Sequence, residues 1–406
     1  MEWTLSQRFG SPAMPDLSHL PEPDEAARQA SEALTARLRD EIEVAGGFLP
    51  FRRYMELALY APGLGYYTAG SHKLGVGGDF TTAPETSPLF ARCLARQVAQ
   101  VLEELGGGQV LEFGAGTGAL AVEMLRALAA LDRLPEQYLI LELSPDLRER
   151  QQAAVAELPE DLAAQVRWLD ALPPSGFRGV MLGNEVLDAM PVEVFTWTGE
   201  TVLQRGVAWE GGRLAWAERP AEPGLSAALQ RLQAETGSAW PAGYTSEYSP
   251  GLAPWVASLA ETLAAGLILL IDYGYPRAEY YSPERSRGTL MGYYRHRALD
   301  DPFFLPGLTD LTAHVDFTAV AEAGVGAGLD VLGYTTQAWF LIGAGLDQVF
   351  QESASDDPRE QLALAGQVRQ LTLPGEMGER FQVIGLGRGI EGPLVGFAGR
   401  DLRGRL

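Results

Sequence analysis

A single cysteine, Cys93, among 406 residues leaves nothing to form an intramolecular disulfide and excludes a cysteine-based metal cluster. The four histidines, at positions 19, 72, 296 and 314, are too scattered for a spacing-defined zinc site, so no metal is expected. No apolar run approaches the ~20 residues of a membrane span, and no membrane insertion is expected. Positive charge is scarce. Lys and Arg number 31 against 53 Asp and Glu, a formal net charge of −22, the reverse of the basic face that sequence-independent nucleic-acid binding needs. Lys73 is the only lysine, which reads as composition bias. The N-terminus shows neither a signal-peptide apolar core nor the acid-poor, Arg-rich character of a transit peptide, so a cytoplasmic location is expected.

What the chain does have is apolar content of 46%, enough for a full core, and a length that calls for one elaborated domain or two. The organising stretch is Gln109–Leu120, QVLEFGAGTGAL. Val110, Leu111 and Phe113 form the β-prone run of a buried parallel strand, and Gly114, Gly116 and Gly118 follow at alternate positions. A helical pattern then starts at Ala119. Strand, glycine turn and helix form the first unit of an open α/β nucleotide-binding sheet, with the ligand crevice beyond the carboxyl end of the strand. The same letters satisfy G-x-G-x-x-A, the dinucleotide fingerprint, so the motif alone does not name the ligand. The third glycine, Glu112 inside the strand and Glu142 at the end of the next strand tilt the reading to S-adenosylmethionine. Glu142 is placed to accept hydrogen bonds from ribose hydroxyls.

The chain divides on this pattern into four parts. Residues 1–85 hold an N-terminal arm, two helices and a polar loop expected to cover the cofactor. Residues 86–191 hold the first part of the core. Residues 192–250 alternate like antiparallel strands and are rich in aromatics, the pattern of an inserted lid over substrate or partner. Residues 251–406 hold the rest of the core, with Leu394–Ala398 read as a final strand. The expected fold is α/β: a Rossmann-like, mostly parallel open sheet with an N-terminal helical segment and an inserted antiparallel and helical subdomain.

Seven blocks in order, GDFTTAPETSPLF, EFGAGTGALAVEML, LELSP, GNEVLDAMPVEVF, LLIDYGY, GTLMGYYRH and DLTAHVDF, resemble the MidA-like methyltransferases, from about Gly47 to the C-terminus. Ala115 stands where that family usually has Pro, which matters little in a turn that offers backbone. The resemblance implies a class I methyltransferase fold, S-adenosylmethionine as donor and S-adenosylhomocysteine as product. Mitochondrial members of the family are linked to arginine methylation of a protein.

On this reading the cofactor residues are Asp79, Thr82, Glu112, Gly114, Gly116, Gly118, Glu142, Asp170 after the third strand on the adenine side, and Asn184. A guanidinium acceptor is always charged and needs carboxylates, for which Glu185 and Asp188 are the candidates. His314, near Asp316, is the candidate to orient substrate or remove a proton. The expected activity is protein methylation, with arginine as acceptor. A small-molecule methyltransferase, and a cofactor-binding assembly chaperone with little catalysis, stand as alternatives. An NAD-dependent dehydrogenase is remote, since no catalytic His–Arg set with a matching second domain is evident.

Overall fold

The computed structural model describes residues 20–69 and 82–406. Its centre is an eight-stranded sheet, in which the short Val315–Asp316 pairs beside Gly274 and Tyr275 and the other seven strands are β1 (Gln109–Phe113), β2 (Tyr138–Leu141), β3 (Val166–Leu169), β4 (Phe177–Asn184), β5 (Leu263–Tyr275), β6 (Asp330–Thr336) and β7 (Phe381–Arg388). Their order is β3–β2–β1–β4–β5–β7–β6. The first five run parallel, and β7 lies antiparallel between β5 and β6. The chain steps outward from β1 to β3 and then returns to the other side of β1 to lay down β4. That reversal opens a crevice at the carboxyl ends of β1 and β4.

Alternate residues of the strands face opposite layers. Val110, Ile140, Val180, Leu182, Leu267 and Leu269 pack with helix α1 (Pro88–Leu105) and helix α2 (Ala119–Ala130). Leu111, Leu139, Met181, Ile268 and Leu270 pack with Val256 and Leu259 of helix Leu252–Thr262 and with Phe317 and Val320 of helix Phe317–Gly326. With both faces covered, the strands read as continuous apolar runs. The mostly parallel α/β sheet is the one the sequence leads one to expect.

Between β4 and β5 the chain forms an antiparallel sheet from Glu193–Trp197, Val202–Glu210, Arg213–Pro220 and Tyr244–Tyr248. Its edge is extended by Leu49–Pro50, which pairs with Val207 and Gly206. Leu34, Leu38 and Ile42 of helix Glu25–Val44, with Phe51 and Tyr54 of helix Phe51–Tyr60, pack against Val194, Val207, Leu214 and Leu311 in one apolar cluster. The N-terminal helices and the insertion thus share a core, although the chain separates them by the first half of the main sheet. A third, three-stranded sheet joins Met291–Tyr294 to Arg297–Leu299 and Asp310–Thr312.

One segment near the C-terminus departs from its sequence pattern. Leu394–Ala398 is not a strand: Val395–Phe397 makes a 3-10 turn. The Phe397 ring lies over Gly333 of β6, at a position where any Cβ on that glycine would meet it at 2.2 Å, so the segment crosses the sheet face instead of joining its edge. Gln337–Gly343 forms a helix that buries Phe340 and Leu341.

Candidate active site

The crevice at the carboxyl ends of β1 and β4 holds a cavity of about 270 Å³. Gly114 and Gly116 form part of its wall with φ of 59° and 55°, backbone that side chains rarely adopt. Their main chain therefore faces the cavity with no side chain in between. Gly118, also at positive φ, does a different job. It caps helix α2 outside the lining, and a Cβ there would stand 3.2 Å from the Cα of Gln151. It allows close helix packing and lies outside the cavity lining.

Two acids anchor this end. Glu112 is buried on β1 and accepts a 2.7 Å hydrogen bond from the Tyr138 hydroxyl on β2. Burial, with the nearby charge of Glu142, pushes its carboxyl up to about 7. Glu142 follows β2, and its Oε1 accepts from the Ser144 N–H at 2.8 Å while its Oε2 accepts from Gln151 Nε2 at 2.9 Å. Gln151 Nε2 also donates to the Gly116 carbonyl at 3.0 Å, and its Oε1 accepts from Trp168 Nε1 at 3.0 Å. This fully buried amide locks the glycine turn to the acid. Gln151 carries no motif, and only its place on helix Pro145–Ala156 below Glu142 gives it this role.

The other end is built at the end of β4. Asn184 Nδ2 donates to Glu185 Oε1 at 3.1 Å, while the buried Asn184 Oδ1 has no partner among the described residues. Glu185 has φ 54°, a left-handed backbone carried by a side chain. Burial, followed by the charge of Asp188, raises its carboxyl well above the usual range. Asp188 is buried, and burial with Asp272 and Asp310 raises it likewise. Neither Glu185 nor Asp188 forms an ion pair among the described residues. Asp310 reaches the same cavity from the small third sheet, its Oδ1 accepting from the Tyr67 hydroxyl at 3.1 Å. Tyr67 stacks on Tyr60 with ring centres 5.5 Å apart, and the Tyr60 hydroxyl donates to the Ala189 carbonyl. Met291 pairs with Thr312, so the GTLMGYYRH and DLTAHVDF blocks meet in that sheet.

Thr82, which caps the short helix Ala83–Thr86, and Pro84 and Glu85 within it line the cavity, and Thr117 Oγ1 donates to Glu85 Oε1 at 3.2 Å. Asp79 lies outside the described residues. Of the remaining candidates, Glu112, Gly114, Gly116, Glu142, Asn184, Glu185 and Asp188 are brought together on one cavity wall. Asp170 is not. Its side chain is 88% exposed and paired with Arg148, because the chain turns outward after β3. His314 is not there either. It faces a second cavity, of about 360 Å³, beside the insertion, with its ring near those of Tyr273 and Tyr275. Burial, helped by Arg285 and Arg380, pushes it down to about 4, so the ring is neutral at pH 7. Asp316 does not bond to it: it caps helix Phe317–Gly326 by accepting from the Ala319 N–H and binds Arg277. Asp272, Asp310, Gln151 and the tyrosines are the residues the sequence reading missed. For Asp272 a signal existed, an acid at the end of the otherwise apolar strand block GLILLIDY.

A backbone cradle, a ribose-height acid and an unpartnered amide oxygen fit a nucleoside joined to an amino acid. The family described as S-adenosyl-L-methionine-dependent methyltransferases matches residues 93–335. The chain belongs to that family. It is an S-adenosylmethionine-dependent methyltransferase of the MidA-like group. It is similar to a Burkholderia thailandensis protein crystallised with S-adenosyl-homocysteine, at 48% identity and TM-score 0.91 over 95% of this chain and 100% of that one. Among curated proteins it is 27% identical to the mitochondrial protein arginine methyltransferase NDUFAF7 homolog of Drosophila melanogaster, over 96% of this chain and 94% of that protein. It is 28% identical to NDUFAF7 of Mus musculus, over 84% and 81%.

Proposed function

We propose that this methyltransferase modifies arginine in a protein substrate. The observation that carries the reading is a pair on the cavity wall, half-buried Glu185 and buried Asp188, without an ion pair among the described residues. Carboxylates of this kind hold a permanent cation well, and a guanidinium is one. The relatives named protein arginine methyltransferases support the same acceptor.

When bound, the donor supplies an electrophilic methyl carbon on a sulfonium. The chain's own residues do the rest. The backbone at Gly114 and Gly116 takes the amino-acid end, with Asn184 Oδ1 as a further acceptor for its ammonium. Glu142 still has lone pairs for the ribose hydroxyls, and Leu143 and Leu147 offer apolar surface next to it. Glu185 and Asp188 pair with the acceptor, localise its charge and aim a nitrogen lone pair. The nitrogen that accepts the methyl group must give up a proton. A carboxylate raised by burial accepts one more readily than a carboxylate in water. Positioning and exclusion of water supply the rate.

The test is to incubate the protein with isotopically labelled donor and lysate from its own host, then locate the label by mass spectrometry. Label on arginine of a protein is expected. Label in the small-molecule fraction, or donor binding with no transfer, overturns the reading. Glu185→Gln keeps shape and loses charge. It should leave donor affinity within a few-fold while transfer falls by about 100-fold or more, the scale of losing a preorganised electrostatic group.

A further inference from the structure

We infer that Asp272 is a positioning residue for methyl transfer: it holds residues 185–188 in the turn that keeps Glu185 in a left-handed backbone conformation on the cavity wall. The inference rests on the reading of Glu185 as an acceptor-side group.

The chain pattern begins in the sheet. Asn184 lies opposite Ile271 in the parallel pair of β4 and β5, and the Glu185 N–H extends that pairing by donating to the Ile271 carbonyl at 2.9 Å. There the chain leaves the sheet, and three successive N–H groups lose their strand partners. All three converge on one oxygen. Val186, Leu187 and Asp188 donate to Asp272 Oδ2 at 3.1, 2.8 and 3.2 Å, and Tyr273 donates to Oδ1 at 2.8 Å. On the far side the Ala313 N–H donates to the Asp188 carbonyl at 3.0 Å. The turn is thus held at both ends.

The residue that opens this turn stands at φ 54°. Glycine takes that conformation without cost, whereas a side chain there costs on the order of 1 kcal/mol or more and persists only where its surroundings dictate it. Here the dictating group is Asp272, which is 1% exposed and forms no part of the cavity lining. It touches no ligand in the cavity itself, and beside its charge on Asp188 it acts through the turn. A relaxed residue 185, at negative φ, would send its side chain in another direction and withdraw the carboxylate beside Asn184.

The experiment uses the full chain with S-adenosylhomocysteine bound, and variants Asp272→Asn and Asp272→Ala. Crystal structures should show residue 185 out of the left-handed region in Asp272→Ala. Product affinity by calorimetry should stay within about 3-fold, while transfer to the acceptor labelled in the lysate falls by about 10-fold or more, as expected for a misplaced group. In a Glu185→Gln background, Asp272→Asn should cause no further loss, the non-additivity of residues acting as one unit. Residue 185 unmoved in Asp272→Ala, or losses that multiply in full, would overturn the inference. Should Asp272→Ala fail to fold, the Asp272→Asn structure and cycle decide alone. If Glu185→Gln by itself leaves transfer intact, the acceptor reading fails, and the backbone at 185 still reports whether Asp272 holds the turn.

Discussion

At the glycine end the cavity wall is backbone, and its two acids are each satisfied by neutral donors: Tyr138 for Glu112, and Ser144 and Gln151 for Glu142. At the β4 end the wall is side chain, and three acids raise one another's pKa: half-buried Glu185 and buried Asp188 and Asp272. One end is relaxed and preformed. The other is held under electrostatic and backbone tension that a cationic ligand would relieve. The difference fits two partners. The donor is the same molecule in every turnover, so a rigid cradle serves it. On the arginine reading proposed above, the acceptor arrives charged, must lose a proton, and leaves modified.

The sharpest way to break this contrast is at Gly116. Gly116→Val places a β-branched side chain at φ 55°, where it is strained, and on the wall where backbone meets the ligand. Donor and product affinity should drop by about 100-fold or more, since 2–3 kcal/mol of contact is about that factor. Calorimetry with S-adenosylhomocysteine checks it. Unchanged affinity would mean that the glycine serves the turn alone, and the relaxed end would lose its meaning as a cradle.

A smaller effect concerns pH. Glu112 and Asp272 are both pushed up to about 7, the first mainly by burial and the second by burial and Glu185. Carboxyls in the unfolded chain titrate near 4, so between about 4 and 7 the folded protein keeps protons that the unfolded chain has lost. The stability they contribute is full below about 4 and is lost as pH rises through about 7. The ligand-free protein should therefore melt at lower temperature at pH 8 than at pH 5. Glu185→Gln removes one acid and one of the charges that raise Asp272, and it should flatten this profile more than Glu112→Gln does. The opposite ranking, read by scanning calorimetry, would move the tension to the glycine end.

How far the sequence could be read follows the same division. The glycine end was legible because its parts are consecutive: a strand of β-prone residues, glycines at fixed offsets and a helix, with Glu142 one strand later. The fold followed from that unit and the apolar runs after it. The β4 end was half legible. Glu185 and Asp188 stand in the chain next to a buried strand, but Asp272 reaches them from β5, and Asp310 from a sheet that forms only when residues 291 and 312 pair. Spacing carries no trace of such meetings. His314 and Asp316 misled for a related reason. Two residues apart in an extended segment, they point to different neighbours, one into a second cavity and one onto a helix N-terminus. The union of the N-terminal helices with the insertion was invisible because no local pattern names a distant partner face.

The smallest expected effect is at Asp170, and it separates the glycine end from its surroundings. An acid after the third strand of such a sheet invites a role at the adenine. Here the side chain is 88% exposed and stands outside the cavity lining. Its ion pair with Arg148, at 2.7 Å, is of the exposed kind, which contributes about 0–1 kcal/mol. Arg148 would keep its place without it, since the same nitrogen donates to the Leu169 carbonyl at 3.0 Å and reaches the Glu142 carbonyl at 3.5 Å. Asp170→Ala should therefore leave S-adenosylhomocysteine affinity within about 2-fold, less than 0.5 kcal/mol. Glu142→Ala in the same titration should cost far more, because it strips the acceptor from the Ser144 N–H and from Gln151 together. A 10-fold loss at Asp170 would mean that the ligand extends past β3 to the surface, and that the relaxed end of the cavity is longer than its walls make it.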